Sequence, residues 1–309
     1  MSVNVLFAAP DLWDGYRAPL ADALQAVGVE ARLSTDIPAA QVDWIVYAPS
    51  APLQDFGPYV RAKGVLNLWA GVEGVVNNPT LTQPLARMVD PGLTEGMVEW
   101  VTGHVLRHHL GIDDQVRGLD GEWRRAVPPL ARDRRVGILG LGALGQACAR
   151  ALAALNFDVA GWSRSEKRLE GIAAHHGDAG LTAVLARSEI LVTLLPLTPA
   201  TEGLLDAARL AALPPGAVLV NPGRGGLIDD AALLAALDAG RLGHATLDVF
   251  RVEPLPPDHP FWHNPRVTVT PHIASETRPA SAARVIAENI RRGEAGLPLL
   301  HLVDREAGY

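Results

Sequence analysis

A single cysteine, Cys148, stands in 309 residues. With no partner for an internal disulfide, it points to a reducing compartment, and a cytoplasmic location is expected. Long apolar runs are missing too. The longest uncharged stretches, residues 136–149 and 210–223, fall short of the about 20 apolar residues that a spanning helix needs. The first is rich in glycine and the second holds Pro214 and Pro215. A membrane protein is therefore not expected. Cations are in deficit, 27 Lys and Arg against 34 Asp and Glu. The formal charge of −7 gives no uniform attraction to nucleic acid or anionic lipid. Met1 leads straight into an apolar stretch, without the charged start and cleavage pattern of a signal peptide. No P-loop, GxSxG elbow or CxxC pair occurs, and no repeat of about 20–50 residues.

What is present is enough apolar sequence for a sizeable core, 48% against 20% charged residues. The length suggests about two domains. Strands are predicted at 3–8, 44–47 and 65–68, with a helix at 18–26. Gly28, Pro38, Pro49, Pro52 and Gly64 punctuate them. This β-α-β rhythm favours a parallel sheet. Thr94 opens a long helical pattern over 95–110, and the polar stretch 112–135 reads as a connection. A second β-α-β series then predicts strands at 136–139, 159–162, 190–195, 217–221, 245–247 and 267–269. Helices over 143–155, 204–212 and 229–239 lie among them. Six strands match a complete dinucleotide-binding sheet. A last helix is predicted over 280–292.

Gly140-Leu141-Gly142-Ala143-Leu144-Gly145 joins the first strand of that second series to its helix. In such a turn the first glycine permits the bend and the second admits a pyrophosphate. The third lets helix and strand pack closely, and free N–H groups at the helix start attract phosphate. The next strand end normally carries an Asp or Glu for a ribose 2′-hydroxyl. Here Trp162 is followed by Ser163 and Arg164, a hydroxyl and a guanidinium suited to a 2′-phosphate. NADP(H) is therefore the expected cofactor, with NAD(H) as the weaker one. A charge-assisted hydrogen bond corresponds to a preference of roughly 10- to 150-fold.

Three further segments are Asn221-Pro222-Gly223-Arg224-Gly225, Asp248-Val249-Phe250-Arg251-Val252-Glu253-Pro254-Leu255 and Thr270-Pro271-His272-Ile273-Ala274-Ser275. With the glycine turn and the Leu195-Pro196-Leu197-Thr198-Pro199-Ala200-Thr201 loop, they closely resemble the D-2-hydroxyacid dehydrogenase family. The Trp162-Ser163-Arg164-Ser165 strand end and the Leu68-Trp69-Ala70-Gly71-Val72 loop look most like its glyoxylate/hydroxypyruvate reductase A branch. The resemblance implies an α/β fold of two Rossmann-like domains. A flavodoxin-like substrate domain, residues 1–103 completed by 279–309, would join a doubly wound dinucleotide-binding domain, residues 104–278. The active site would lie in a cleft between them. It also implies reduction of small 2-keto acids such as glyoxylate and hydroxypyruvate.

Such a reduction needs a hydride at C2 and a proton for its oxygen. Imidazole as a group titrates near neutrality, which makes His272 the natural acid, Glu253 can orient its ring, and Arg224 offers a planar fork to carboxylate and keto oxygen. The resemblance assigns the same three roles. It further implies that Gly140, Gly142, Ala143, Leu144, Gly145, Ser163, Arg164, Leu195, Pro196, Thr201, Pro222 and Gly223 border the cofactor. Asp248 would anchor the nicotinamide carboxamide, and backbone N–H groups of Ala70, Gly71 and Val72 would bind the substrate carboxylate beside a bulky Trp69. Many relatives carry Ala or Ser where this chain has Pro222-Gly223.

A homodimer through residues 109–134, with Trp123 as an interface anchor, is also implied. A phosphoglycerate, pyruvate or phenylpyruvate specificity remains as an alternative, as does a dinucleotide-sensing corepressor without turnover. His104 and His108 have zinc-like spacing but no intervening Glu, so a solvated helix face is expected and no metal site. His175 and His176 are expected to face water, and His259 and His263 to flank a packing anchor.

Overall fold

The computed structural model describes residues 2–116, 118 and 121–308. They form two compact units, Met1–Leu93 with Glu276–Tyr309, and Thr94–Ser275. In the first, β1 (Val3–Phe7), α1 (Trp13–Ala26), β2 (Ala31–Ser34), β3 (Trp44–Tyr47), β4 (Val65–Asn67) and β5 (Leu85–Ala86) follow one another. The five strands are all parallel in the order β2-β1-β3-β4-β5, the flavodoxin-like arrangement. A parallel sheet covered on both faces reads as unbroken apolar runs, and every residue of β3 and β4 is buried. The two strands that sequence reading misses are β2, a half-exposed Ala-Arg-Leu-Ser edge, and β5, two residues long.

The second unit contains α2 (Pro91–Leu110, from Thr94 on), α3 (Ile112–Val116), β6 (Arg135–Leu139), α4 (Ala143–Ala154), β7 (Asp158–Ser163), β8 (Ala173–His176) and α5 (Gly177–Arg187). They are followed by β9 (Ile190–Thr193), α6 (Ala207–Ala212), β10 (Ala217–Asn221), α7 (Asp230–Asp238), β11 (Leu242–Leu247) and β12 (Val267–Val269). Its sheet has seven parallel strands rather than six, in the order β12-β11-β10-β9-β6-β7-β8. The additional strand is β8, whose Ala-Ala-His-His shows no apolar alternation to betray it. α3 likewise lies inside the stretch read as a connection.

The expected domain boundary at 103/104 falls inside α2, whereas the units divide at Leu93/Thr94. The reason is packing. Met97, Val101 and Val105, successive turns on one helix face, join Val136, Ile138 and Leu152 in one apolar cluster. Cys148 lies in that cluster, and burial pushes its thiol up to about 12.

The chain returns to the first unit at Glu276, and α8 (Pro279–Glu294) lays Ala282, Ala283, Ile286, Ala287 and Ile290 into that unit's core. The Trp44 indole donates to Glu294 Oε1 at 2.7 Å and fixes the helix end. The tail beyond it pairs Leu302 with Ala86. No described helix is long and apolar enough to cross a membrane.

Candidate active site

Because every strand of the second sheet runs the same way, the loops after β6, β7, β9, β10, β11 and β12 leave one edge of it. The strand order reverses between β6 and β9, the position where open α/β sheets receive ligands. The glycine turn leaves β6 there. Gly140 has φ +106°, and a Cβ on it would lie 2.5 Å from the Leu194 carbonyl oxygen. A Cβ on Gly145 would lie 1.7 Å from the Gly140 carbonyl oxygen, so α4 can pack on β6 only without it.

Gly142 differs from both. Its backbone is extended and its Cβ would meet no protein atom within 4 Å. Neither conformation nor packing explains that glycine, but room for a phosphate beside the N–H groups of Ala143 and Leu144 does. The residues present therefore fit a dinucleotide.

At the end of β7, Trp162 pairs with Leu139, so Ser163 and Arg164 adjoin the glycine turn. The Ser163 hydroxyl donates to the Ser165 carbonyl at 2.7 Å, and Arg164 is exposed. No carboxylate stands at this strand end. In the loop after β9, the Thr201 hydroxyl donates to the Pro196 carbonyl and accepts from the Thr198 N–H, closing the loop that begins at Leu195.

After β10, one side chain organises the turn. The Asn221 carboxamide accepts from the Thr193 hydroxyl (2.6 Å) and the Gly223 N–H (3.1 Å) and donates to the Arg224 carbonyl (3.0 Å). Pro222 and Gly223 are buried, and a Cβ on Gly223 would lie 2.8 Å from the Thr193 carbonyl oxygen. Arg224 is half-buried, with Nη1 donating to the Gly223 carbonyl at 2.7 Å. Arg251, which sequence reading passes over, donates to the carbonyls of Ile228 (2.8 Å) and Gly226 (3.4 Å). It thereby ties the turn after Arg224 to the segment that carries Glu253.

Asp248, just past β11, is 0% exposed. Its carboxylate accepts from the Thr270 hydroxyl (2.6 Å) and the N–H groups of Ile273 and Ala274 (both 2.9 Å). The resemblance implies a carboxamide anchor. Here the Asp248 oxygens are withdrawn from solvent and committed to the loop on either side of His272. That loop holds His272 at φ +54°, a left-handed conformation uncommon outside glycine, with its N–H donating to the Asp248 carbonyl at 2.8 Å. The imidazole Nδ1 lies 2.7 Å from Glu253 Oε2, while Glu253 Oε1 accepts from the Phe250 N–H at 2.8 Å. A carboxylate only accepts, so Nδ1 carries a proton and Nε2 is the nitrogen that Glu253 leaves unengaged. The His272 side chain is 52% exposed, so the ring is open to a reactant.

The expected carboxylate-binding loop is in the first unit. Val72 is buried, Ala70 and Gly71 are half-buried and Trp69 is exposed. The Trp69 carbonyl accepts from Asn67 Nδ2 and the Met88 N–H, the Gly71 carbonyl from the same Nδ2, and the Val72 carbonyl from the N–H groups of Val75 and Val76.

The other histidines fall differently from expectation. His104 stacks on Trp100, with ring centroids 4.2 Å apart, and His108 Nε2 lies 2.8 Å from the Thr246 hydroxyl. Burial depresses both, with Arg107 contributing at His104 and His244 at His108, which falls to about 3. His109 is buried edge-on against Phe157. This face of α2 packs against the sheet and is not solvated. His175 belongs to β8 opposite Trp162 and is half-buried, while His176 is exposed. His259 accepts the Phe261 N–H beside a buried Phe261 ring. Among the described residues no cluster of three or more His, Cys, Asp or Glu could hold a metal.

The sequence model described as "D-isomer specific 2-hydroxyacid dehydrogenase, NAD binding domain" matches residues 101–274. The glyoxylate/hydroxypyruvate reductase A of Serratia proteamaculans is 42% identical over 257 residues, covering 81% of this chain and 82% of that protein. A D-isomer specific 2-hydroxyacid dehydrogenase from Xanthobacter autotrophicus Py2, solved in complex with NADPH and MES, superposes with a TM-score of 0.91 at 42% identity. The match covers 100% of this chain and 99% of that one. The NADPH-dependent glyoxylate/hydroxypyruvate reductase of Sinorhizobium meliloti, solved with NADP and sulfate, gives a TM-score of 0.86 at 41% identity, covering 100% of both chains.

Proposed function

Since the chain belongs to the D-isomer specific 2-hydroxyacid dehydrogenases, we propose that it is an NADPH-preferring reductase of small 2-keto acids, glyoxylate to glycolate and hydroxypyruvate to D-glycerate. The observation that carries the reading is the 2.7 Å contact of His272 Nδ1 with Glu253, which leaves Nε2 as the ring nitrogen turned to a reactant at an exposed loop. The glycine turn from Gly140 to Gly145 would hold the dinucleotide, whose reduced nicotinamide would supply the hydride for the ketone carbon. His272 Nε2 gives the proton that the carbonyl oxygen takes up, and Glu253 holds the ring in the orientation for that transfer. Arg224 polarises the carbonyl and offsets the charge that develops on its oxygen. The N–H groups of Ala70, Gly71 and Val72 receive the substrate carboxylate.

The preference for NADPH rests on Ser163 and Arg164 where an acidic residue would favour NADH. The two solved relatives described with NADPH or NADP point the same way. Initial rates of NADPH and NADH oxidation, each with glyoxylate and with hydroxypyruvate, test both parts of the proposal. NADPH is expected to give a kcat/KM higher by roughly 10- to 150-fold. Equal efficiency with NADH would overturn the preference, and cofactor binding without turnover of either acid would overturn the enzyme.

The proposal extends to a homodimer through residues 109–134, of which Arg117, Leu119 and Asp120 lie outside the described residues. Trp123 is 94% exposed and Val116, Val127 and Leu130 are exposed with it, apolar surface that a second copy would cover. Sedimentation equilibrium is expected to give twice the mass of one chain. Trp123→Ala is expected to shift the equilibrium towards the monomer, and a monomeric wild type would remove the proposal.

A further inference from the structure

Asn67 ends β4, and at 1% exposure it lies in the core of the first unit. Its Nδ2 donates to two carbonyls of the following loop, Trp69 at 2.8 Å and Gly71 at 2.9 Å. Its Oδ1 is buried with no hydrogen-bond partner. Flipping the amide would set an oxygen against two carbonyl oxygens, so the orientation is fixed. A stranded acceptor in a core is unfavourable, and leucine, close in size, would avoid it. What leucine cannot do is donate.

The two bonds have a geometric consequence. In a trans peptide the C=O and the next N–H point in opposite directions. Drawing the Trp69 and Gly71 carbonyls towards the buried amide therefore turns the N–H groups of Ala70 and Val72 away from it. Among the described residues no acceptor meets the N–H groups of Ala70, Gly71 or Val72. Successive backbone N–H groups without internal acceptors form an anion-binding concavity.

We propose that Asn67 is a positioning residue for carboxylate recognition: its one amide nitrogen sets two carbonyls inward so that the Ala70–Val72 amides are presented to the substrate carboxylate. The inference rests on the 2-keto acid reading. Asn67→Leu removes both donors and the stranded oxygen while keeping the volume, and Asn67→Thr retains a single O–H donor.

Steady-state kinetics with glyoxylate are expected to show KM raised about tenfold or more in Asn67→Leu, as weakened charge-assisted hydrogen bonds imply, and by less in Asn67→Thr. The kcat and the NADPH dissociation constant should stay within about threefold of wild type, because no reacting group is displaced. A purely structural role would move the melting temperature and leave this KM-against-kcat split absent. An unchanged KM in a folded Asn67→Leu overturns the proposal, and if that variant does not fold, an unchanged KM in Asn67→Thr does so. A wild type inactive on both keto acids would end the functional reading alone. Oxalate, added to the NADPH-loaded protein during thermal denaturation, then decides. Protection of wild type that is lost in Asn67→Leu supports the role, while equal protection, or none in wild type, overturns it.

Discussion

Replacing His272 with Ala is expected to lower kcat for glyoxylate by roughly 10²–10⁴-fold, the usual contribution of a positioned general acid. NADPH affinity should be unchanged. The effect should be specific to the ring, because the loop is built independently of it. Asp248 holds that loop through the Thr270 hydroxyl and the N–H groups of Ile273 and Ala274, and its own carbonyl accepts the His272 N–H. The sensitive point is the backbone at φ +54°. Asn adopts the left-handed region more readily than Ala, so His272→Asn keeps the loop conformation and removes only the proton donor. Both variants should lose turnover to a similar extent, with the melting temperature of His272→Asn near wild type and that of His272→Ala somewhat lower. A wild-type rate in either would exclude His272 as the acid.

The strands that a sequence reader finds here are those with continuous apolar composition. β3, β9 and β10 carry Trp-Ile-Val-Tyr, Ile-Leu-Val-Thr and Ala-Val-Leu-Val-Asn, and each sits inside a covered parallel sheet. β8 escapes because an edge strand needs little apolar surface, and in Ala-Ala-His-His only small or polar side chains flank the backbone pairing with β7. The domain boundary is misplaced for a related reason. Helical periodicity marks a face of α2 but not which core that face enters, and only the packing of Met97, Val101 and Val105 answers that.

At the candidate site, the residues proposed to touch a reactant or cofactor belong to dense motifs and are legible as such. Those that hold them in place are not. Asn67 and Arg251 act through backbone carbonyls, an interaction open to any side chain with a donor, so their spacing carries no signature. Asp248 illustrates the same limit from the other side. Its place just past a strand end is readable, but its complete burial and its three bonds to the His272 loop require the folded chain. The helix histidines fail for the opposite reason, since a histidine on an amphipathic face looks alike whether it meets water or Thr246.

Arg224→Ala is expected to lower kcat/KM for glyoxylate by about 10²–10³-fold, the effect of removing a preorganised donor from a developing oxyanion. Arg224→Lys separates charge from shape. Lysine keeps the positive charge but replaces the planar fork with a flexible point charge, so KM should rise about tenfold with a smaller change in kcat. The comparison is informative because the turn is anchored by more than the Arg224 Nη1 bond to the Gly223 carbonyl. Asn221 ties the turn to Thr193, Gly223 and the Arg224 carbonyl. Gly225 is pressed so closely on Phe250 that an added Cβ would lie 2.0 Å from that residue's carbonyl carbon. The head group can therefore change while the turn stays, and a rise in KM reports on recognition of the keto acid. An unchanged KM in a folded Arg224→Lys would mean that the fork does not grip the substrate. With Arg224→Ala still impaired, Arg224 would then act on the carbonyl as a charge alone.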